Sequence, residues 1–540
     1  MLLILPQLLV VVLLCVVALY QFRTRSRARR HGLPPGPKAL PFVGNIMNLP
    51  PQDGSPEFQH WLKHKDNHGP ISAVTTLGTT MVLLHSHDAL EELLSKKSTK
   101  TSGRPQFYFG SQMCGFGDFT PLLNYNATHR FHRKLIHQQM GTKKLVEKYY
   151  GIQDLESKRF LLRVLDDPAN LIQHIKTEAT AIILRITYGY SIEPHKPDPL
   201  VGLIERMMDN FSQAINPLVW AVDMFPQLRR LPEWLPGMSF QKTGRKWLRE
   251  TRTAIEAPYT FVKRQTQTGA PLRQSYVSSM LELYGTKGDA GWTLSRDHEE
   301  AIKNTAAIVY GGGADTTVST MSSLILAMVL NPEVQRRAQR EIDDVLGADE
   351  GGLRLPEFRD RPRLPYVNAV VKEALRWLPV VPIGTAHVAD EELEYAGYRI
   401  PKGAYLLPAI WWFLHDPETH PDPETFEPER FLPPREEPDP AEHAFGYGRR
   451  VCPGRHLADD NLYLTIARLL AAFDIGRALD VHGRPLDAEI GMTPGLISHP
   501  RPFPYSIKPR SAAHAALVRA AEVEYPWEES DAVLLEKGHF

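Results

Sequence analysis

The sequence predicts a mainly α-helical protein with a small β part, built as one large domain behind an N-terminal membrane anchor. Three observations predict this. From about residue 128 onward, most of the chain carries apolar residues at helical spacing. Strand-like patterning is confined to short stretches near 71–85 and 394–412. The first 22 residues are apolar except for Pro6, Gln7 and Gln21. The rest is globular in composition, at 43% hydrophobic and 23% charged residues. Basic and acidic residues balance at 62 each, which argues against a nucleic-acid partner held by bulk charge. Cys15, Cys114 and Cys452 are too few for a disulfide framework and suit a reducing compartment.

The elements follow in order. Residues 1–22 are long enough to cross a bilayer as a helix. Arg23, Arg25, Arg27, Arg29 and Arg30 come next and place the body of the protein in the cytosol. No basic residue precedes the apolar run and no small-residue cleavage site follows it, which disfavours a cleaved signal peptide. Residues 23–45 form a basic and proline-rich hinge, "LPPGPKALPFVGN" being stiff and non-helical. The domain proper spans 46–510. Residues 71–85 read as a strand pair broken at Gly78. "SHDALEELLSKKS" reads as a helix capped by Ser86. A long apolar helix runs from about 297 to 329 and stops at Asn331-Pro332. "YVNAVVKEALRWL" is a helix ended by Pro379, and "GRHLADDNLYLTIARLLAAF" is a third. "EYAGYRIPKGAYLLPAIWW" reads as short strands. Residues 511–540 read as a peripheral tail without chemistry.

Cys452 draws attention by its setting, "FGYGRRVCPGRHLADD". A lone cysteine is a buried thiol, a nucleophile or a metal ligand. Gly446, Gly448 and Gly454 leave room for a flat ligand to approach the backbone. Pro453 marks the start of the following helix, whose first amides, with nearby arginines, favour thiolate over thiol. No second cysteine stands two residues away, so tetrahedral zinc does not fit. A single thiolate with an open face suits haem iron.

At this point the chain resembles the cytochrome P-450 family. Its pattern F-x-x-G-x-R-x-C-x-G is matched by Phe445, Gly448, Arg450, Cys452 and Gly454. Four further stretches match in order, so the resemblance covers essentially the whole chain and implies the P-450 fold with haem b, ligated by Cys452. "KEALR" supplies Glu373 and Arg376, and "PERF" supplies Arg430. The resemblance implies a buried structural network of these three. "GGGADTT" falls in the long helix, and the resemblance implies that Asp315 and Thr316 handle protons for dioxygen, with Thr317 unranked beside them. The glycines are expected to loosen the helix there. "NYNATHRFHRKL" carries Arg133 as an implied haem-propionate partner, with His129 where the family usually has tryptophan. Without the resemblance, His129, His132 and His137 read as helical surface polarity. "VVPIGTAHVADEE" makes His387 a further propionate partner by resemblance. The implied pocket segments are 104–119, 307–317, 380–385 and 493–497, whose apolar and aromatic character suits a hydrophobic small molecule.

The resemblance therefore implies a haem-thiolate monooxygenase that inserts one oxygen atom from O2 into a hydrophobic substrate. The likeness is greatest to membrane-anchored fungal members of secondary metabolism, which act on terpenoids, polyketides or indoles. About 90 residues follow Cys452, too few for a flavin domain. Electrons are thus expected from NADPH through a separate cytochrome reductase, near Arg449 and Arg455. The expected setting is the endoplasmic reticulum membrane, with a monomeric catalytic unit facing the cytosol and no nucleic acid bound. The alternatives are a haem-dependent isomerase or dehydratase of the same fold, and a non-enzymatic haem or ligand carrier.

Overall fold

The computed structural model describes residues 32–536, except 52, 217–218, 268–272, 289–290 and 348–352. The expected anchor at 1–22 lies outside these residues. The chain divides into two compact units: residues 32–105 with 383–413, and residues 106–382 with 414–536.

The smaller unit holds most of the β structure. Helix α1 (Glu57–His68) lies beside β1 (Ile71–Thr76), which turns back into β2 (Thr79–Leu84). β1 is buried along most of its length, and its Val74 packs with Leu83 and Trp61 in a small core. The turn between the strands is Leu77-Gly78, both at positive φ, +48° and +89°. That geometry matches the right-handed twist of a two-residue hairpin. Later strands are β3 (His387–Val388), β4 (Leu393–Tyr395), β5 (Tyr398–Ile400) and β6 (Tyr405–Pro408). The four-stranded sheet runs β1-β2-β6-β3. β6 joins it parallel to β2, with Val82 opposite Leu406. Ser86 caps the helical turn His87–Leu90, its hydroxyl accepting from the Ala89 N–H at 3.2 Å.

The larger unit is a helical assembly. Its main helices are α2 (Ala127–Met140), α3 (Tyr150–Asp166), α4 (Leu171–Tyr188), α5 (Pro199–Ala214), α6 (Phe240–Gln267) and α7 (Tyr276–Tyr284). Next come α8 (Arg296–Leu330), α9 (Pro332–Gly347), α10 (Pro365–Trp377), α11 (Arg455–Ala472) and α12 (Ala512–Glu524). Strands β7 (Phe473–Gly476) and β8 (Ser506–Pro509) form a separate antiparallel pair. The axis of this unit is α8. Ser295 caps its start, and Asn331 followed by Pro332 ends it. Its apolar residues point all round because α2, α4, α6, α10 and α11 pack on every side. By length and composition α8 also passes for a membrane span, but most of it is buried inside the protein.

More of the tail is built into the fold than its sequence suggests. Helix α12 packs on α3. Beyond it, Glu528 Oε1 accepts from Arg185 Nη2 at 2.8 Å and Asp531 Oδ2 from Arg273 Nη1 at 2.9 Å. Trp527 lies against the guanidinium groups of Arg159 and Arg163. Isolated charges and one tryptophan leave no motif to read, so only the folded chain shows their partners.

A buried acid lies between α4 and α11. Glu178 is 1% exposed, and Thr465 Oγ1 donates to its Oε1 at 2.7 Å. Burial pushes this carboxyl up to about 8. An acid with a raised folded value binds its proton more tightly in the folded state, so stability falls as pH rises from the unfolded value, about 4.3, toward 8. Glu178→Gln, which keeps an acceptor for Thr465, is expected to stabilise the protein at pH 7. The gain should vanish toward pH 4, as read by urea denaturation at the two pH values.

Candidate functional site

The site is assembled around the loop that carries Cys452. The chain leaves the short turn Gly448–Arg450 and passes through Cys452 and Pro453. It enters α11 at Arg455, one residue after Gly454. Two glycines shape the loop: Gly446 and Gly448 have φ of +74° and +55°, a region that side chains resist. The Cys452 N–H donates to the Phe445 carbonyl at 2.7 Å and closes the loop on itself. Arg450 ties it to the segment before α2, donating to the Leu123 carbonyl at 2.6 Å. Arg133, on α2, donates to the Val451 carbonyl at 2.8 Å. The cysteine therefore sits on a loop held by its own backbone and by two arginines.

The electrostatics of Cys452 differ from the sequence-based expectation. Burial is the largest influence and raises the thiol above its usual range. The N–H of Gly454 and the charges of Arg133 and Arg455 work against burial without overcoming it. The polypeptide alone thus holds a thiol. Coordination of a metal is what removes such a proton outright. The other described cysteine is of a different kind. Cys114 is fully buried, and burial followed by Asp223 pushes its thiol up to about 12. It is a core residue.

Helix α8 supplies the opposite chemistry. Residues 301–311 and 317–329 are almost all buried, whereas Gly312 is exposed and 313–316 are half-buried. Across its three glycines the helix stays α-helical, so they do not unwind it as expected. They act through space instead. A Cβ on Gly311 collides with Met208 of α5, and one on Gly313 comes within 2.9 Å of Ile183 of α4. A Cβ on Gly312 meets nothing within 4 Å. Thr316 lies in the open window and donates to the Gly312 carbonyl at 2.8 Å, while Thr317 is buried and donates to the Gly313 carbonyl at 3.0 Å. Asp315 faces His499, with Oδ1 to Nε2 at 3.2 Å.

The histidines of α2 are not surface polarity. His129 and His132 are each 2% exposed, and only His137 is exposed. His132 Nδ1 lies 3.1 Å from Thr120 Oγ1, and burial pulls it down to about 4, so it is neutral at pH 7. His129 packs its ring edge-on to Tyr125. Among the described residues no cluster of His, Cys, Asp and Glu has metal-holding geometry. His387 belongs to the smaller unit, buried on β3, with Nδ1 2.9 Å from the Thr101 carbonyl. A carbonyl only accepts, so that nitrogen carries the proton. Arg449 and Arg455 are exposed.

Behind the cysteine loop lies a fully buried ion network. Arg376 grips Glu373 through two bonds of 2.7 and 2.8 Å. Arg430 adds a third at 3.1 Å. All three side chains are 0% exposed. The remaining donors go to main-chain carbonyls of Leu414, Thr425 and Pro421. Two members carry no sequence signal. Glu437 Oε2 accepts from Arg430 at 3.1 Å, and His420 Nδ1 lies 2.7 Å from the same oxygen. Burial opposes the charge on Glu437, yet the bonds from His420, Arg435 and Arg430 hold it below the usual carboxylate range.

These residues fit haem. A lone sulfur donor, a glycine-bared stretch of an adjoining helix and cationic donors beside the sulfur are what a flat, anionic iron porphyrin requires. The cytochrome P450 family model matches residues 34–505. The chain is a member of the cytochrome P450 family. It is 50% identical over 530 residues to cytochrome P450 monooxygenase CLM2 of Gibberella zeae, covering 98% of this chain and 99% of that one. It is 48% identical to the multifunctional cytochrome P450 monooxygenase af510 of Aspergillus fumigatus, covering 98% of each. At 37% identity it matches an O-methylsterigmatocystin oxidoreductase of Aspergillus flavus over 93% of this chain and 92% of the other. This P450 is accordingly an oxidoreductase of the haem-thiolate monooxygenase class, of the fungal secondary-metabolism type.

Loss of one charge from the buried network of this P450 leaves two arginines with a neutral partner. Glu373→Gln is expected to cost about 3–5 kcal/mol. A fall in the yield of haem-loaded protein and in the denaturation midpoint is the measurement.

Proposed function

We propose that this P450 hydroxylates or otherwise oxygenates a hydrophobic fungal secondary metabolite of the terpenoid, polyketide or indole type. Its electrons come from NADPH through a separate membrane-bound reductase. One observation carries the reading. The loop of Cys452 leads into α11, and the neighbouring helix α8 interrupts its long buried run at 312–316, the stretch holding Asp315 and Thr316.

Bound haem supplies a redox-active iron at which dioxygen is activated. Cys452 would hold that iron through its sulfur. Phe445, Gly448 and Gly454 shape the loop around the sulfur, and Arg450 fixes that loop. Arg133 and His129 are the donors for the propionates, and His387 joins them through Nε2 when its ring carries both protons, since Nδ1 already donates to the Thr101 carbonyl. The Glu373–Arg376–Arg430 network holds the segment preceding the loop, so that the sulfur is placed before the cofactor arrives. Thr316 offers a hydroxyl on the open window, and its bond to the Gly312 carbonyl is exchangeable for one to dioxygen. Asp315 brings protons to it. Thr317, buried and turned to Gly313, keeps a structural part.

The substrate class follows from the walls. Ile308 and Ala314 of α8 and Leu496 of the 493–497 loop pack on a core that contains Phe116, Phe119 and Phe211. Such a surface binds apolar rings and excludes water. A relative named for O-methylsterigmatocystin supports a secondary metabolite. Residues 1–22 anchor the protein in the endoplasmic reticulum membrane by their length and by the arginines behind them. Arg449 and Arg455 then lie exposed near the thiolate for the reductase.

The reading is tested with reductase-coupled microsomes, candidate metabolites and mass spectrometry. An oxygenated product that requires both NADPH and O2 is expected. Product formed without either would show an isomerase or dehydratase instead. Cys452→Ser is expected to abolish the red-shifted Soret band of the ferrous carbon monoxide complex. Thr316→Ala should keep that band and divert most reducing equivalents to hydrogen peroxide. Unchanged coupling in the alanine variant removes Thr316 from the proton route.

A further inference from the structure

His499 has no part in any motif of the sequence, yet its placement is the most constrained of any histidine near the open window of α8. It ends the 493–499 loop. Its N–H donates to Thr493 Oγ1 at 2.9 Å, and its carbonyl accepts from the Thr493 N–H at 2.8 Å. Ser498, beside it, is clamped twice more. Its N–H donates to the Val380 carbonyl at 2.8 Å, and its carbonyl accepts from Ser319 Oγ of α8 at 2.6 Å. Ser319 lies one helical turn beyond Asp315. The loop is therefore fastened to the same helix that carries Asp315, and the imidazole is aimed at Asp315 from a rigid base.

We propose that His499 is the proton donor to Asp315, linking solvent to the dioxygen side of α8. The Asp315 and His499 side chains are 40% and 27% exposed, so the pair touches both water and the helix window. Nε2–H of His499 passes its proton to Asp315 Oδ1 across 3.2 Å, and the imidazole takes up another from water. Asp315 then passes the proton on toward Thr316. No oxidant or reductant enters this step. The other charges facing Asp315 fit the assignment. Burial and then repulsion from Asp315 raise the Asp209 carboxyl of α5 above its usual range, and Lys176 of α4 works against them. The same loop bears Leu496, which, like Ala314, packs against the apolar core. A substrate pressing on that loop thus bears on the residue that supplies protons, tying their supply to occupancy.

The inference rests on the roles proposed for Asp315 and Thr316, and the test separates the two. Full-length protein is placed in vesicles with a cytochrome P450 reductase, NADPH and oxygen, without added substrate. The fraction of NADPH recovered as hydrogen peroxide and the solvent deuterium isotope effect on NADPH oxidation are measured. His499→Gln and His499→Asn hold a hydrogen bond to Asp315 but carry no transferable proton. Both are expected to keep the ferrous carbon monoxide band, to raise the peroxide fraction several-fold and to change the isotope effect. Asp315→Asn should do the same, and the double variant should go no further than either single one. Thr493→Val, which removes one of the bonds holding the loop but keeps the imidazole, should change both readouts less than either His499 variant. If Asp315→Asn raises peroxide while both His499 variants match the parent protein, His499 is not the donor and the role of Asp315 stands. If Asp315→Asn also matches the parent, the relay itself is wrong.

Discussion

The arrangement depends on one buried carboxylate. Glu373 sits at zero exposure and receives hydrogen bonds from Arg376, Arg430 and the N–H of Glu427. A single charge in the interior is tolerable only when it is paired and its hydrogen-bonding sites are filled. Glu373 meets both conditions, and in meeting them it joins α10 to the segment 414–437. That segment leads directly to the cysteine loop. In the proposed reading the position of the sulfur depends on an ion network of which it is no part.

A second constraint is the packing around α8. A helix buried on every side has no room for a ligand unless its side chains recede. The three glycines divide that task. Gly311 and Gly313 let α5 and α4 come close, and Gly312 leaves its own face bare. Close neighbours on two sides support the helix where it is weakest in propensity, and it stays α-helical there.

Much of this was legible in the sequence because the chemistry is local. The cysteine loop, the E-x-x-R helix and the glycine-rich stretch each occupy a few adjacent residues. Helix bounds followed from caps and prolines, as at Ser86, Asn331 and Pro332. Partners brought from a distance were not legible. His499 lies 184 positions after Asp315, and Glu437 and His420 join Arg430 without any pattern. The histidines of α2 misled for a related reason. Their polarity says surface, whereas Thr120 and the packed interior accept His132 in neutral form. Around Cys452 the sequence shows the arginines and the helix start that favour the thiolate, and not the burial that opposes them.

The donors of Arg376 and Arg430 that do not reach carboxylates end on peptide oxygens of Leu414, Pro421 and Thr425. A peptide oxygen is present whatever residue bears it. The segment 414–425 is therefore gripped by its trace and not by its spelling. Substitutions there can accumulate as lineages diverge without slackening the hold. Descendants of one ancestral enzyme are in this way free to change the outer face of the segment while its hold on α10 stays in place.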